Sequence, residues 1–128
     1  MRKLTYQVST GTLRDAITGV ISMTAYSGHG EGLNNPEFAQ VHNVGPIPAG
    51  VYTLDPPIDP STHLGPFAFP LIPSPGNEMF GREGFYMHGD NALMNHSASD
   101  GCIILPYGVR QWIARVLQAE PLTLEVIA

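Results

Sequence analysis

The sequence holds only one cysteine, Cys102, among its 128 residues. A single thiol cannot form an intramolecular disulfide and cannot supply a zinc site built from several thiolates. The five histidines show no HxxH or HExxH spacing, so the sequence predicts neither a metal ion nor another cofactor. Whether Cys102 is an inert buried thiol or a nucleophile therefore has to be inferred from its neighbours.

Basic residues are scarce as well. Six Lys and Arg stand against eleven Asp and Glu, which gives a formal net charge of -5, and the basic residues never cluster beyond a pair. Nucleic acids and anionic membrane surfaces are bound largely through contacts from Lys and Arg to phosphate groups. The composition therefore argues against nucleic acid or an anionic membrane as a partner.

Long apolar runs are also missing. No segment approaches the roughly 20 apolar residues that cross a bilayer, so we expect no membrane insertion. Near the N-terminus, Arg2 and Lys3 are followed by polar Thr5, Gln7 and Ser9 instead of the apolar core of an export signal. We therefore expect the protein to be made in the cytoplasm without a signal peptide.

Glycine and proline, in contrast, are plentiful. Fourteen Gly and twelve Pro divide the chain into short segments, which is typical of an antiparallel β protein. The length and the absence of any linker or repeat suit one domain, residues 1–128. Residues 28–50 are expected to form a long ordered loop, and prolines restrict FAFPLIP (67–73) to a short or edge strand. The other segments expected to form strands are LTYQVS (4–9), TLRDA (12–16) and VISMTAYS (20–27) as a hairpin, VYTLD (51–55), GFYMHGD (84–90) and LTLEVIA (122–128).

One helix is predicted near the C-terminus. Between residues 109 and 117, apolar side chains recur at i, i+3, i+4, i+7 and i+8, which is one stripe of an α-helix. We expect a helix over residues 106–118 that packs on the sheet through Trp112 and Val116. The predicted fold is therefore mainly β, a small sheet or sandwich with Greek-key-like strand order and one C-terminal helix.

The surroundings of Cys102 favour a nucleophile. Glycine precedes the thiol, so the backbone N–H groups of Gly101 and Cys102 are candidates for an oxyanion hole. A histidine within hydrogen-bond reach would take the thiol proton and later return it to the leaving group. Of the two nearby histidines, His88 is favoured because a predicted strand holds it, whereas His96 lies in a Ser- and Asn-rich loop.

These residues together resemble a known signature. His88-Gly89, followed by Ser-Asp-Gly-Cys-Ile at residues 99–103, resembles the signature of the L,D-transpeptidase catalytic domain. AYSGHGEGLNNP (25–36) and GPIPAGVYTL (45–54) resemble upstream motifs of a compact branch of that superfamily. This branch contains type VI secretion effectors with L,D-transpeptidase-like domains, and similar proteins occur in prophages. The resemblance covers nearly the whole chain.

The resemblance implies a reaction and a role for each motif residue. Cys102 is the nucleophile, His88 is the general base and acid, and the turn from Ser99 through Gly101 to Cys102 is the oxyanion site. The substrate is a peptidoglycan tetrapeptide stem, attacked between its third residue and the terminal D-Ala to give a thioester. Water would complete an L,D-carboxypeptidase reaction, a free D-amino acid an exchange, and another stem's amine a 3-3 cross-link. The sequence leaves these outcomes open.

Five further residues are candidates for substrate contact. Arg82 is a candidate for binding a stem-peptide carboxylate, and His29 lies in a glycine-rich loop that suits a groove wall. Tyr26 and Tyr86 are expected in the core or in the groove wall. Asp100 stands where the larger family usually has a second histidine, and its carboxylate would oppose thiolate formation if it faced the sulfur.

The resemblance also implies a biological setting. We expect an antibacterial effector that a secretion machine delivers to the periplasm of a target bacterium, with a periplasmic immunity protein made by the producer. Two readings from other classes stay open. One is a catalytically idle module that binds peptidoglycan stem peptides and buries Cys102, and the other is a cysteine peptidase acting on proteins. The upstream glycine and proline motifs favour a cell-wall substrate over the cysteine peptidase hypothesis.

Overall fold

The fold is a curled mixed sheet with one helix packed on it. The computed structural model describes residues 2–62, 64–91 and 96–128. Within these residues, the strands are β1 (Arg2–Gln7), β2 (Thr12–Asp15), β3 (Gly19–Ser22), β4 (Tyr26–Ser27), β5 (Gly50–Leu54), β6 (Phe69–Pro73), β7 (Tyr86–His88), β8 (Ile103–Ile104) and β9 (Leu122–Ile127), and the α-helix is α1 (Tyr107–Ala119). The described strands join in the order β3-β2-β1-β9-β5-β6-β7-β8-β4. The predicted mainly β fold is confirmed.

The sheet is antiparallel except at two places. β1 pairs in parallel with β9, and β7 pairs in parallel with β8, whereas the remaining neighbours are antiparallel. Alternate residues of the central strands face a continuous core, because successive side chains of a strand point to opposite faces. The core residues of β1, β5 and β9 are Leu4, Tyr6, Tyr52, Leu54, Leu122, Leu124 and Val126.

The helix lies close to its predicted position. It begins at Tyr107, one residue after Pro106, and ends at Ala119. Ile113 is buried in the core, and Trp112 and Val116 pack against that core while staying partly exposed. None of the helices in the described ranges is long and apolar enough to span a bilayer.

The strand β6 is short, as the prolines predicted, but it is internal and not at an edge. It pairs with both β5 and β7. Proline lacks an N–H donor but keeps a carbonyl acceptor, and the Pro70 carbonyl accepts a hydrogen bond from the Asp55 N–H at 3.0 Å. The adjacent Leu71 N–H donates to the Phe85 carbonyl at 2.9 Å, so the strand keeps partners on both sides.

The long ordered loop predicted over residues 28–50 is present over residues 28–49, and Gly50 already begins β5. It contains two short 3-10 helices, Gly30–Gly32 and Pro36–Phe38. Backbone hydrogen bonds fold it back on itself, including His29 N–H to the Val44 carbonyl at 3.0 Å. This loop lies beside the turn that precedes β8, and the site is built there.

Candidate active site

The cysteine and the favoured histidine lie on two adjacent parallel strands. Met87 pairs with Ile103 across β7 and β8, and both of these side chains point into the core. Side chains alternate along a strand, so His88 and Cys102 belong to the opposite face of the sheet. Both residues line one cavity of about 780 Å³. The structure therefore brings the predicted nucleophile and the predicted base to the same cavity.

His88 is held rigidly at the end of β7. Its side chain is 6% exposed, and its Nδ1 lies 2.8 Å from the Gly89 carbonyl oxygen. A carbonyl oxygen only accepts, so Nδ1 carries the proton and Nε2 is the nitrogen suited to accept one. The acceptor is the carbonyl of the next residue along the chain, so this contact is local.

The Cys102 side chain is partly exposed and lies in a cavity lined by several titratable or charged side chains. Burial is the main cause that raises the pKa of Cys102 to about 11, and the nearby Asp100 carboxylate acts in the same direction, as was expected for that carboxylate. The Tyr86 backbone N–H and the Arg82 guanidinium act in the opposite direction on the same pKa. The resting thiol is therefore protonated at neutral pH, and a nucleophilic role, which stays a prediction, would require a base that removes its proton.

The turn before Cys102 is fixed by a fully buried serine. Ser99 Oγ accepts hydrogen bonds from the N–H groups of Gly28 at 2.9 Å and Gly101 at 3.1 Å, and it donates to the Cys102 carbonyl at 2.5 Å. The Gly101 N–H is thus directed at a side chain inside the protein. This geometry does not support the predicted oxyanion roles of Ser99 and Gly101, which build the turn instead. The Cys102 N–H stays a predicted oxyanion donor.

The loop after β4 holds the same turn from the other side. Ser27 Oγ donates to the Gly101 carbonyl at 2.9 Å, and His29 Nδ1 lies 2.8 Å from the Ser99 carbonyl oxygen. The same His29 nitrogen is 3.5 Å from an Asp100 carboxylate oxygen. His29 was predicted to contact substrate, but its Nδ1 contacts the turn that precedes Cys102. The sequence could not predict this contact, because 70 residues separate the two partners.

Arg82 is a buried structural cation in the wall of the cavity that Cys102 lines. It is 7% exposed, and its two terminal nitrogens donate to the carbonyls of Ala39, Pro46, Gly45 and Asp100 at 2.6 to 3.0 Å. These four bonds use all four N–H groups on the terminal nitrogens. The prediction that Arg82 binds a stem-peptide carboxylate is therefore not supported.

The family of this chain follows from its match to a known family model. The family model of the Tlde1 domain matches residues 21–121, which include the cysteine, the histidine and both upstream motifs. The chain belongs to the Tlde1 domain family. This membership confirms the L,D-transpeptidase-like superfamily that the sequence motifs indicated. A comparison with curated protein sequences gives no match.

Solved structures share the fold of this Tlde1 domain. The helical cell shape determining protein Pgp2 of Campylobacter jejuni matches with a TM-score of 0.65 at 18% identity, covering 98% of this chain and 46% of that one. L,D-transpeptidase 1 of Mycobacterium tuberculosis matches with a TM-score of 0.51 at 17% identity, covering 99% and 62%. An L,D-transpeptidase of Mycobacterium smegmatis gives 0.54 at 16% identity, covering 99% and 58%. The Tlde1 domain thus spans about half the length of the solved proteins it matches.

Tyr26 and His96 do not line the cavity that holds the thiol. The Tyr26 hydroxyl donates to the Asp90 carboxylate at 2.7 Å and accepts from the Ala98 N–H at 3.1 Å. Its ring meets the His96 ring edge-on at 4.9 Å, and His96 is exposed, as predicted for a loop histidine. Tyr26 therefore supports the segment around residue 98, and a direct substrate contact is not favoured.

Tyr86 and Asp100 do line the cavity, so their predicted contacts with substrate remain predictions. The cavity wall also includes residues that sequence reasoning missed, among them His42, Ile58 and Glu83. Nothing in their local sequence marks them, because the wall is assembled from separate loops. Among the described residues, no cluster of three or more His, Cys, Asp or Glu could hold a metal ion.

Arg110 was missed although a signal was present. This arginine lies at the edge of the apolar stripe of α1, is 7% exposed, and donates to the Leu105 carbonyl at 3.0 Å and to the Pro66 carbonyl at 2.5 Å. The signal is an arginine three residues before Ile113, next to the apolar face of the helix. An arginine that is buried at such a position needs hydrogen-bond partners, which here are backbone carbonyls.

Proposed function

We propose that this Tlde1 domain is a peptidoglycan-modifying cysteine enzyme that acts on tetrapeptide stems. The observation that supports it most directly is that Cys102 and His88 line the same cavity on the outer face of β7 and β8. A cavity of about 780 Å³ falls in the usual range for small-ligand sites, roughly 300 to 1,000 Å³. Membership in the family supports the cell wall as the target.

The proposed first half-reaction forms a thioester. His88 Nε2 accepts the Cys102 thiol proton while Sγ bonds to the carbonyl carbon of the stem's third residue. The bond to the D-Ala nitrogen then breaks, and His88 gives its proton to the leaving amine. Because Nδ1 is committed to the Gly89 carbonyl, the same ring nitrogen serves in both proton transfers.

The second half-reaction depends on the acceptor. Water would release the tripeptide, which is L,D-carboxypeptidase activity, and a free D-amino acid would replace D-Ala by exchange. In both cases His88 deprotonates the acceptor as it attacks the thioester, and the thiol recovers its proton. We propose carboxypeptidase activity, exchange, or both.

The test is incubation of the purified protein with tetrapeptide muropeptides, with and without an added D-amino acid, followed by mass spectrometry. Loss of D-Ala identifies carboxypeptidase activity, and incorporation of the added residue identifies exchange. Cys102→Ala is the matched control and should leave the muropeptides unchanged. Unaltered muropeptides with the wild-type protein would contradict the proposed function.

A second candidate, the idle binding module, has one observation in its favour. Burial raises the pKa of Cys102 to about 11, so the resting thiol is a weak nucleophile. The module hypothesis expects wild type and Cys102→Ala to bind muropeptides equally, with no product from either. Any product formed only by the wild type excludes it.

We further propose that the domain acts as an antibacterial effector in the periplasm of a target cell. The match to the Tlde1 domain supports this setting. A periplasmic immunity protein that covers the cavity, and a component of the secretion machine, are the proposed partners.

A further inference from the structure

Two buried arginines lie against the two glycines of the catalytic motifs. A Cβ atom at Gly101, the residue before the nucleophile, would lie 2.5 Å from Arg82 Nη2 and 2.7 Å from the Phe85 ring. A Cβ atom at Gly89, the residue after His88, would lie 2.5 Å from Arg110 Nη2. Each guanidinium therefore occupies the space that any other side chain would need.

Arg82 has no carboxylate partner in the part of the chain that the structure describes. Among the described residues, the ion pairs involve Arg2, Lys3 and His29, and none of them includes Arg82. A buried cation without a counter-ion is unfavourable unless other groups compensate it. The four backbone carbonyls supply dipoles but no negative charge.

The Arg82 guanidinium lies against the turn that leads into Cys102. Arg82 Nη2 donates to the Asp100 carbonyl at 2.9 Å, and the Arg82 guanidinium lies over the Phe85 ring at 5.1 Å. The guanidinium is thus packed under the peptide that leads into Cys102, and both residues line the same cavity. The negative charge that Arg82 lacks at rest is the charge that the thiol acquires when His88 removes its proton.

We propose that Arg82 is a positioning residue that also supplies the counter-charge for the Cys102 thiolate. The proposal rests on the proposed cysteine chemistry and adds to it the group that stabilises the anion. When the S–H bond breaks, the proton moves to His88 and the charge stays on sulfur beside the guanidinium. An opposite charge nearby favours the ionised form of a thiol.

Other groups also face the thiol. The titratable or charged side chains that line the cavity with Cys102 are His42, Arg82, Glu83, Tyr86, His88 and Asp100. Arg82 is the permanently charged cation of this set, whereas the Glu83 and Asp100 carboxylates oppose the thiolate. Removing the positive charge at residue 82 should therefore destabilise the thiolate, whereas removing either carboxylate should stabilise it.

The test measures the rate at which iodoacetamide alkylates the thiol between pH 7.5 and 9.5, followed by intact mass. The single cysteine makes the signal specific, and no muropeptide enters the assay. Below the thiol pKa the rate follows the thiolate fraction, so Arg82→Gln should react about tenfold more slowly at a given pH, as expected for loss of a nearby opposite charge. Arg82→Lys keeps the charge and should stay within about threefold of wild type.

Arg110→Gln is the matched control. Arg110 is equally buried and bonds to backbone carbonyls, but it lies against Gly89 and does not line the cavity with Cys102. The rate of Cys102 alkylation in Arg110→Gln should stay within about threefold of wild type, because the Arg110 charge does not line the cavity that holds the thiolate. Melting temperatures of all variants show which of them are folded.

Wild-type rates in folded Arg82→Gln would overturn the proposal, as would a tenfold loss in folded Arg82→Lys. If Arg82→Gln does not fold, the comparison of Arg82→Lys with wild type decides. If the alkylation rates follow the expected pattern but the muropeptides stay unaltered, only the proposed function is refuted. If the muropeptides are turned over but alkylation does not depend on the charge at residue 82, only the role of Arg82 is refuted.

Discussion

His88 and His96 differ in how firmly the chain holds them. His88 ends β7, is nearly buried, and has its Nδ1 fixed by the Gly89 carbonyl. His96 is exposed, has a φ of 62°, and contacts the Tyr26 ring outside the cavity that holds the thiol. A general base must be positioned before its pKa matters, so the two side chains should differ in their effect on catalysis.

We predict that His88→Ala slows acylation by roughly 10²- to 10⁴-fold, the usual contribution of a positioned base. His96→Ala should keep most activity, because it removes only a ring contact at the surface. The measurement is single-turnover release of D-Ala from tetrapeptide muropeptide. Essential His96 together with dispensable His88 would reverse the assignment.

At the residue scale, a short motif was enough to single out Cys102 and His88, and the structure brings both residues to one cavity. Their catalytic roles stay predictions. Arg82, His29 and Tyr26 were assigned to substrate, yet each of them bonds to backbone or side-chain atoms from distant segments. Such partners follow from tertiary packing, and no local pattern encodes them.

The hairpin formed by β1 and β2 depends on a charged pair at its open side. Arg2 donates two hydrogen bonds to the Asp15 carboxylate, at 3.0 and 2.7 Å, and Thr18 donates two more from the following turn. The bond from Arg2 is the main cause that lowers the pKa of Asp15 far below its ordinary value, with the Thr18 bonds adding to it. The carboxylate therefore ties both strands and the turn together.

We predict that Asp15→Asn lowers the free energy of unfolding at pH 7 by about 2 kcal/mol, because hydrogen bonds to a buried charged group are lost. The folded pKa of Asp15 is below its unfolded value. The stabilisation is thus fully present above about pH 4 and is lost as the pH falls through the folded pKa. Urea unfolding from pH 7 to pH 2 should show the difference between variant and wild type shrinking.

Glu125→Gln is the control for this element. Glu125 pairs with Lys3 at 2.9 Å, but both side chains are largely exposed. Exposed ion pairs contribute about 0 to 1 kcal/mol, so this variant should change little at any pH. An equal effect of the two substitutions would show that Asp15 is no more than a surface charge.

At the element scale, periodicity predicted most strands and the helix. It predicted one strand over residues 20–27, whereas the structure has two strands there, β3 paired with β2 and β4 paired with β8. It missed β8, which contains two residues and is too short for a pattern. The internal position of β6 was not predictable for a different reason. Whether a proline carbonyl or a proline nitrogen faces a neighbour depends on register, and register is set by the strands on either side.

The proposed site of action can be tested on the whole protein in cells. We predict that the domain is toxic when an added export signal directs it to the periplasm of a bacterial host, because peptidoglycan is accessible only there. Cytoplasmic expression and periplasmic Cys102→Ala should both permit growth. Growth curves with matched expression levels measure this, and equal toxicity in the two compartments would count against the cell wall as target.

The parallel pairing of β1 with β9 has a consequence for how the protein folds. Residues 2–7 lie beside residues 122–127, and in the sheet formed by the described residues β1, β2 and β3 join the other strands through β9. Closing so long a segment is entropically unfavourable before the pairing compensates it, and high contact order slows folding. A chain that emerges progressively, from a ribosome or from a secretion channel, therefore keeps its first three strands undocked until β9 emerges.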